Sequence, residues 1–310
     1  MAIEVCVMKR TDGSIRRPAQ VISAKKFLYK LCGSSQPSII EGSDGNFYVL
    51  KFFVAGQQGL VNEVVGAELI QKLGLPSPGW ARVEITEEFI ERNPGMWFSK
   101  GAGSIRPRAG FHFASQLIEA PGEQRTYQMI PHSWIDRIEN REDFLGMLVL
   151  DLWANNCDRR QAVFICDESC RLHASFIDND YMFGGTFGFE TTCPRRAMVY
   201  DLDLYRGVWN REAVREWMER VEGISEAEIA EIISGVPAEW ASASVCAEVM
   251  DQLRRRRGVL PHLLDDSENV LNSSYSIKYQ RARHATEPGK ICNAPVFAGT
   301  YRTRNPTAAD

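Results

Sequence analysis

Residues 151–185, DLWANNCDRRQAVFICDESCRLHASFIDNDYMFGG, constrain the fold more than any other stretch. Asp158 lies in a polar loop, Asn155-Asn156-Cys157-Asp158-Arg159-Arg160, directly after an apolar helical run. Asp178 ends an apolar strand-like run and is followed by an exit through Gly184 and Gly185. Between them, residues 162–166 and 172–177 have strand composition and are joined by the polar turn Asp167-Glu168-Ser169. A hairpin of this kind returns the two carboxylates to one end of a small sheet. One of them can then handle a proton while the other holds a metal ion, the division of labour that phosphoryl transfer requires.

A second constraint lies earlier. The segment Phe47-Tyr48-Val49-Leu50-Lys51-Phe52-Phe53 is apolar except for Lys51. Strand alternation puts Phe47, Val49, Lys51 and Phe53 on one face. An ammonium there must be paired, hydrated or matched to an anion, and snorkelling from an edge strand to water is the plain alternative. The next element favours a partner. Residues 61–73 predict a helix ended by Gly74 and Pro76. Its main stripe is Val61, Val64, Val65, Leu69 and Leu73, and Glu63 falls beside Gly66, Ala67 and Ile70. A lone lysine in a strand and a lone glutamate on a covered helix face predict an ion pair. Ahead of the strand, Glu41-Gly42-Ser43-Asp44-Gly45-Asn46 has the chemistry of a tight hairpin turn.

Around these two stretches the chain predicts strands over residues 3–8, 38–40, 81–85 and 111–119, a short helix over 24–31, and an irregular excursion over 86–109. Ala120-Pro121-Gly122-Glu123 predicts a hinge. Asn140 is the expected cap of a helix over 141–153. Beyond an extended loop over 186–205, helices are expected over 210–221, 226–233 and 237–257, the second opened by a capping box of Ser225 and Glu228. The third ends in Arg254-Arg255-Arg256-Arg257. With a net charge of -4, cations at a helix C-terminus are favoured over a nucleic-acid patch. The domain division expected is a first lobe over 1–119, a second over 120–265, and a polar flexible tail over 266–310.

The eight cysteines are scattered with no Cys-x-x-Cys pair, and Cys166, Cys170, His173 and Cys193 have poor spacing for zinc. The first residues do not have the form of a signal peptide and no run is long enough to span a membrane, so a cytoplasmic protein is expected.

In this order, the residues resemble the HipA-like kinases, a divergent branch of the protein-kinase-like fold. The resemblance is carried by the turn from Gly42 to Gly45, Val49-Leu50-Lys51, Asn62-Glu63, Gly74-Leu75-Pro76-Ser77-Pro78, Asp151-Leu152-Trp153 through Asn156-Cys157-Asp158-Arg159, and Ile177-Asp178, over roughly residues 35–260. It implies an α+β, bilobal fold with a small β-rich N-lobe holding one key helix and a larger helical C-lobe. It also implies ATP and Mg2+ as partners. Lys51 would contact the ATP phosphates with Glu63 orienting it, Asp158 would position or deprotonate an acceptor hydroxyl, and Asp178 would bind the metal. Gly42, Ser43, Gly45 and Val49 would cover the nucleotide, whose base would meet the backbone near Ile118, Glu119 and Ala120.

One position departs from the pattern. Kinase-like folds place a second metal-binding asparagine five residues after the catalytic aspartate, and here that residue is Val163. Gln161 and Asn156 are the polar substitutes nearby, with Gln161 the candidate on the metal. The leading expectation is a bacterial kinase acting on Ser or Thr hydroxyls of a protein, and better-known relatives are toxins of toxin–antitoxin modules. Val163 favours a second, a pseudokinase working as a nucleotide-binding or protein-interaction module. A third is transfer of the nucleotide in place of the phosphoryl group.

Overall fold

The computed structural model describes residues 20–31, 36–54, 58–100, 103–118, 125–185, 198–199 and 201–284. The strand expected over 3–8, the hinge at 120–123, Glu119, Ala120 and most of the loop over 186–205 lie outside the described residues. In chain order the first half contains β1 (Gln20–Lys30), β2 (Ser38–Gly42), β3 (Phe47–Lys51), α1 (Gly59–Lys72), β4 (Trp80–Ile85), α2 (Glu87–Arg92), β5 (Phe98–Lys100), β6 (Gly103–Ile105) and β7 (Gly110–Gln116). Five of these strands close a barrel in the order β1-β2-β3-β7-β4.

Alternation explains the barrel. In β3, Tyr48 and Leu50 turn inward to pack with Ile22, Ile40, Ala81, Val83 and Ala114, so Phe47, Val49 and Lys51 must share the opposite face. Closing the sheet pairs β1 with β4 in parallel and with β2 antiparallel. The short helix expected over 24–31 is therefore strand: these residues are laddered to β2, with Ala24 and Phe27 packed against the barrel core and Lys25 and Lys26 exposed. Tertiary pairing overrides the helical propensity of Ala, Lys and Leu there. The β2–β3 turn follows its sequence. The Gly42 N–H donates to Asn46 O at 2.8 Å, and Gly45 takes φ +82°, a left-handed value suited to glycine. The 86–109 excursion is more ordered than expected, because Thr86 caps α2 through the Phe89 N–H and β5 pairs with β6.

The second half contains β8 (Arg125–Tyr127), α3 (Asp143–Trp153), β9 (Gln161–Cys166), β10 (Leu172–Ile177), α4 (Arg211–Glu222), α5 (Glu226–Ser234) and α6 (Ala243–His284). The hairpin forms in the expected register, Gln161 opposite Ile177 and Cys166 opposite Leu172, and β8 adds a third strand beside β9. Asn140 does not cap α3. Its amide grips β10 instead, donating to Ala174 O at 2.9 Å and accepting from Ala174 N–H at 2.8 Å. The capping box of Ser225 and Glu228 is present at α5.

The arginine run lies inside α6, which continues past the expected end at 257 and makes residues 266–284, the first part of the expected tail, helical. Its cations do satisfy helix C-termini, but those of other helices. Arg256 Nε donates to Leu152 O and Trp153 O, each at 3.0 Å, at the end of α3, and Arg257 donates to Ile224 O just beyond α4. The described residues up to Val270 form one compact unit. Among the described residues, no helix is long and apolar enough to cross a membrane.

Candidate active site

Lys51 ends β3 and Glu63 lies one turn into α1, on a helix buried along most of its length. Their side chains form an ion pair, and Lys51 Nζ also stands 2.5 Å from Asp178 Oδ1, at the end of β10. Asp180 Oδ2 lies 3.6 Å from the same ammonium. One cation thus ties the barrel, α1 and the hairpin end together. The second oxygen of Glu63 accepts the Asn179 N–H at 3.2 Å, and the second oxygen of Asp178 accepts the Gln161 amide at 2.6 Å.

Asp178 adopts φ +70°, a left-handed conformation uncommon outside glycine. Arg160 holds it there. Its Nη1 donates to Ile177 O at 2.8 Å, Asp178 O at 2.9 Å and Asn179 Oδ1 at 2.9 Å. The other edge of the guanidinium grips Asp151 in a bidentate pair, Nε to Oδ2 at 2.9 Å and Nη2 to Oδ1 at 2.5 Å, with Asp151 fully buried on α3. Asn156 braces the intervening loop: its Nδ2 donates to Asp151 Oδ1 at 2.9 Å and its Oδ1 accepts the Asp158 N–H at 3.1 Å. With both ends of its amide committed in the core, Asn156 is a brace for the loop, not the metal substitute that the sequence suggested. Asp158 itself is exposed, at the hairpin end that also carries Asp178.

The loop after Asp178 is fixed from α1. Buried Asn62 donates from Nδ2 to Asp180 O and Met182 O, both at 2.7 Å. Gly66, one turn along, lets this loop approach, since a Cβ there would lie 2.7 Å from both Asn179 Cβ and Met182 Sδ.

The charges are unevenly matched. Burial alone would lower the Lys51 pKa, but Glu63, Asp178 and Asp180 outweigh it and hold the ammonium well above the ordinary lysine value. Burial also opposes the Asp178 charge, and Lys51 overcomes it to keep that carboxyl low. Asp180 goes the other way. Burial, reinforced by the negative charges of Asp178 and Glu63, pushes it up to about 8 against the pull of Lys51. Glu63, Asp178 and Asp180 each offer an oxygen within 4.8 Å of the others. An all-oxygen, carboxylate-rich donor set of this kind fits a hard divalent cation such as Mg2+ or Mn2+.

The HipA-like kinase family matches residues 29–260. The chain belongs to the HipA-like kinase family. No curated protein matches it by sequence. Among solved structures, the Helicobacter pylori proinflammatory kinase CtkA aligns with a TM-score of 0.52 at 12% identity, covering 81% of this chain and 99% of that one. A Golgi casein kinase gives 0.50 at 13% identity over 81% and 73%, and HipA from the Shewanella oneidensis MR-1 toxin–antitoxin system gives 0.47 at 14% over 86% and 69%. Identities this low show the fold alone, and that fold is the two-lobed, protein-kinase-like one.

Within the HipA-like kinase frame, the residues singled out from sequence fall into two groups. Lys51, Glu63, Asp178 and Gln161 meet directly. Val49 shares the Lys51 face of β3, while Gly42, Ser43 and Gly45 form the adjoining turn. Ser43 ties that turn to β1, its Oγ accepting the Ser23 N–H at 3.1 Å. Ile118 follows β7, and its neighbours Glu119 and Ala120 lie outside the described residues. Sequence reasoning quoted Asn62 and Asp151 within motifs and Arg160 within the polar loop but assigned none of them a role, and it missed Asp180. The signal for Asp151 was present: an aspartate inside the apolar run Leu148-Val149-Leu150-Asp151-Leu152-Trp153 needs a buried cation, and Arg160 is close in sequence.

Proposed function

We infer that the protein is an ATP- and divalent-cation-dependent phosphotransferase acting on a Ser or Thr hydroxyl of a protein substrate. The observation that carries this is Lys51 Nζ held between Glu63 and Asp178, 2.5 Å from the latter, in a HipA-like kinase. A buried ammonium pinned by two carboxylates is pre-organised to neutralise phosphate oxygens without reorganising when they arrive.

The proposed roles follow from chemistry. Lys51 binds the phosphates and Glu63 fixes its direction. Exposed Asp158 can receive an acceptor hydroxyl and take its proton as the oxygen attacks the γ-phosphorus and the bond to the β-phosphate breaks. Asp178, steadied by Gln161 and Arg160, would hold the cation, which supplies charge neutralisation at the phosphates. Gly42, Ser43, Gly45 and Val49 would flank the nucleotide, with Ile118, Glu119 and Ala120 near its base.

The test is Mg2+-dependent transfer of the γ-phosphate of ATP by wild type and by Asp158→Ala, with mass spectrometry of the self-modified protein. Phosphoryl adducts on wild type and a loss of at least 100-fold in the variant support the assignment. Nucleotidyl adducts support transfer of the nucleotide. A second function has its own observation: Val163, half-buried in β9 opposite Ser175, cannot ligate a metal. Nucleotide-dependent thermal stabilisation with no turnover under any divalent cation selects that pseudokinase function.

A further inference from the structure

We propose that Asp180 is a direct ligand of the nucleotide-bound divalent cation, supplying from the loop after β10 the second contact that Val163 cannot make from β9. The proposal rests on the phosphotransferase function above and adds a residue to it. Kinase-like catalysis uses two protein ligands near the phosphates, one after the last strand of the hairpin and one in its first strand. Here the first strand offers valine at that point.

Geometry favours Asp180 over its neighbours. Both oxygens of Glu63 are committed, one to Lys51 and one to the Asn179 N–H. Both oxygens of Asp178 are also engaged, by Lys51 and by Gln161. Asp180 Oδ2 is 3.6 Å from Lys51 Nζ, beyond hydrogen-bond length, and its carboxyl hydrogen-bonds to that of Asp178, so a cation bridging the two carboxylates takes the place of that bond without surrendering a strong contact to the lysine. Its backbone is independently anchored by Asn62 at 2.7 Å, so the loop does not rely on the Asp180 side chain for its position. Three carboxylates face one ammonium, leaving two uncompensated negative charges if all are ionised, while Arg160 is already paired to Asp151. A single divalent cation bridging Asp178 and Asp180 balances them. Gln161 lies on the same strand face as Val163, but its amide nitrogen is turned to Asp178, which makes it a positioning residue for that carboxylate.

The experiment is Mn2+ binding to the full chain, measured by electron paramagnetic resonance with and without ADP, in wild type, Asp180→Asn, Asp180→Glu, Asp178→Asn and Gln161→Ala. Expected is at least a tenfold loss of Mn2+ affinity in Asp180→Asn in the presence of ADP, with smaller losses in Asp180→Glu and in Gln161→Ala, which only loosens Asp178. ADP without metal should bind Asp180→Asn at least as tightly as wild type, because a negative charge beside Lys51 is removed, and that measurement also reports that the variant is folded. Wild-type Mn2+ affinity in Asp180→Asn together with loss in Asp178→Asn overturns the Asp180 assignment and leaves the phosphotransferase function standing. Absence of Mn2+ and ADP binding in wild type overturns both.

Discussion

Lys51 Nζ and Asp178 Oδ1 meet at 2.5 Å although they are 127 residues apart in the chain. The contact joins the end of a barrel strand to the end of the β9–β10 hairpin, and Glu63 completes it from α1. Lys51 is thereby held inside a charged cluster with only 12% of its side chain exposed. Arg160, Gly66 and His112 brace the elements that meet there.

Arg160 is the first. It is fully paired with buried Asp151 and also fixes the left-handed backbone at Asp178. Arg160→Met should therefore destabilise the fold by about 3–5 kcal/mol, because an unpaired carboxylate is left in the core. Urea unfolding of Arg160→Met, Asp151→Leu and the double variant checks this. The double variant should recover much of the loss, and simple additivity would contradict the pairing.

Gly66 is the second. A methyl group there meets Asn179 and Met182 at 2.7 Å, too close for any ordinary contact. Gly66→Ala should cost about 1–3 kcal/mol and shift the segment that carries Asp178 and Asp180. Thermal melts read the first effect. Mn2+ affinity reads the second, with a several-fold fall expected.

His112 gives a pH dependence. It is buried in β7, its Nδ1 accepts the Phe53 N–H at 2.8 Å just after Lys51, and its Nε2 stands 2.9 Å from Arg108 O. Burial lowers its pKa from 6.5 to about 4, against the opposing pull of the Arg108 carbonyl. The unfolded chain then binds the proton more readily than the folded one. This contribution is present in full above pH 6.5 and is lost as pH falls towards about 4. The loss across that window is on the order of 3 kcal/mol. Denaturation midpoints from pH 7.5 down to the low fours should decline steeply in wild type and less in His112→Asn.

Much of this arrangement is legible in the sequence, for reasons that differ from residue to residue. Lys51 and Glu63 stand out because each is a lone charge on an apolar face, and burial forces such charges to find one another. The hairpin stands out because strand runs and a polar turn are local signals. Asp180 does not stand out, since Asp-Asn-Asp after a strand is ordinary turn composition, and only the grip of Asn62 from α1 places it at Lys51. Residues 24–31 mislead for a similar reason: their helical propensity is local, while their pairing with β2 is set by barrel closure. The arginine run misleads about where α6 ends, because the carbonyls it satisfies belong to α3 and to the turn after α4.

The most direct measurement is the rate of γ-phosphate transfer from ATP with Mg2+ by wild type, Lys51→Met and Asp178→Asn, each confirmed as folded by its melting curve. The account predicts measurable Mg2+-dependent transfer in wild type and a fall of at least 100-fold in both variants. Equal transfer in wild type and Lys51→Met would contradict it.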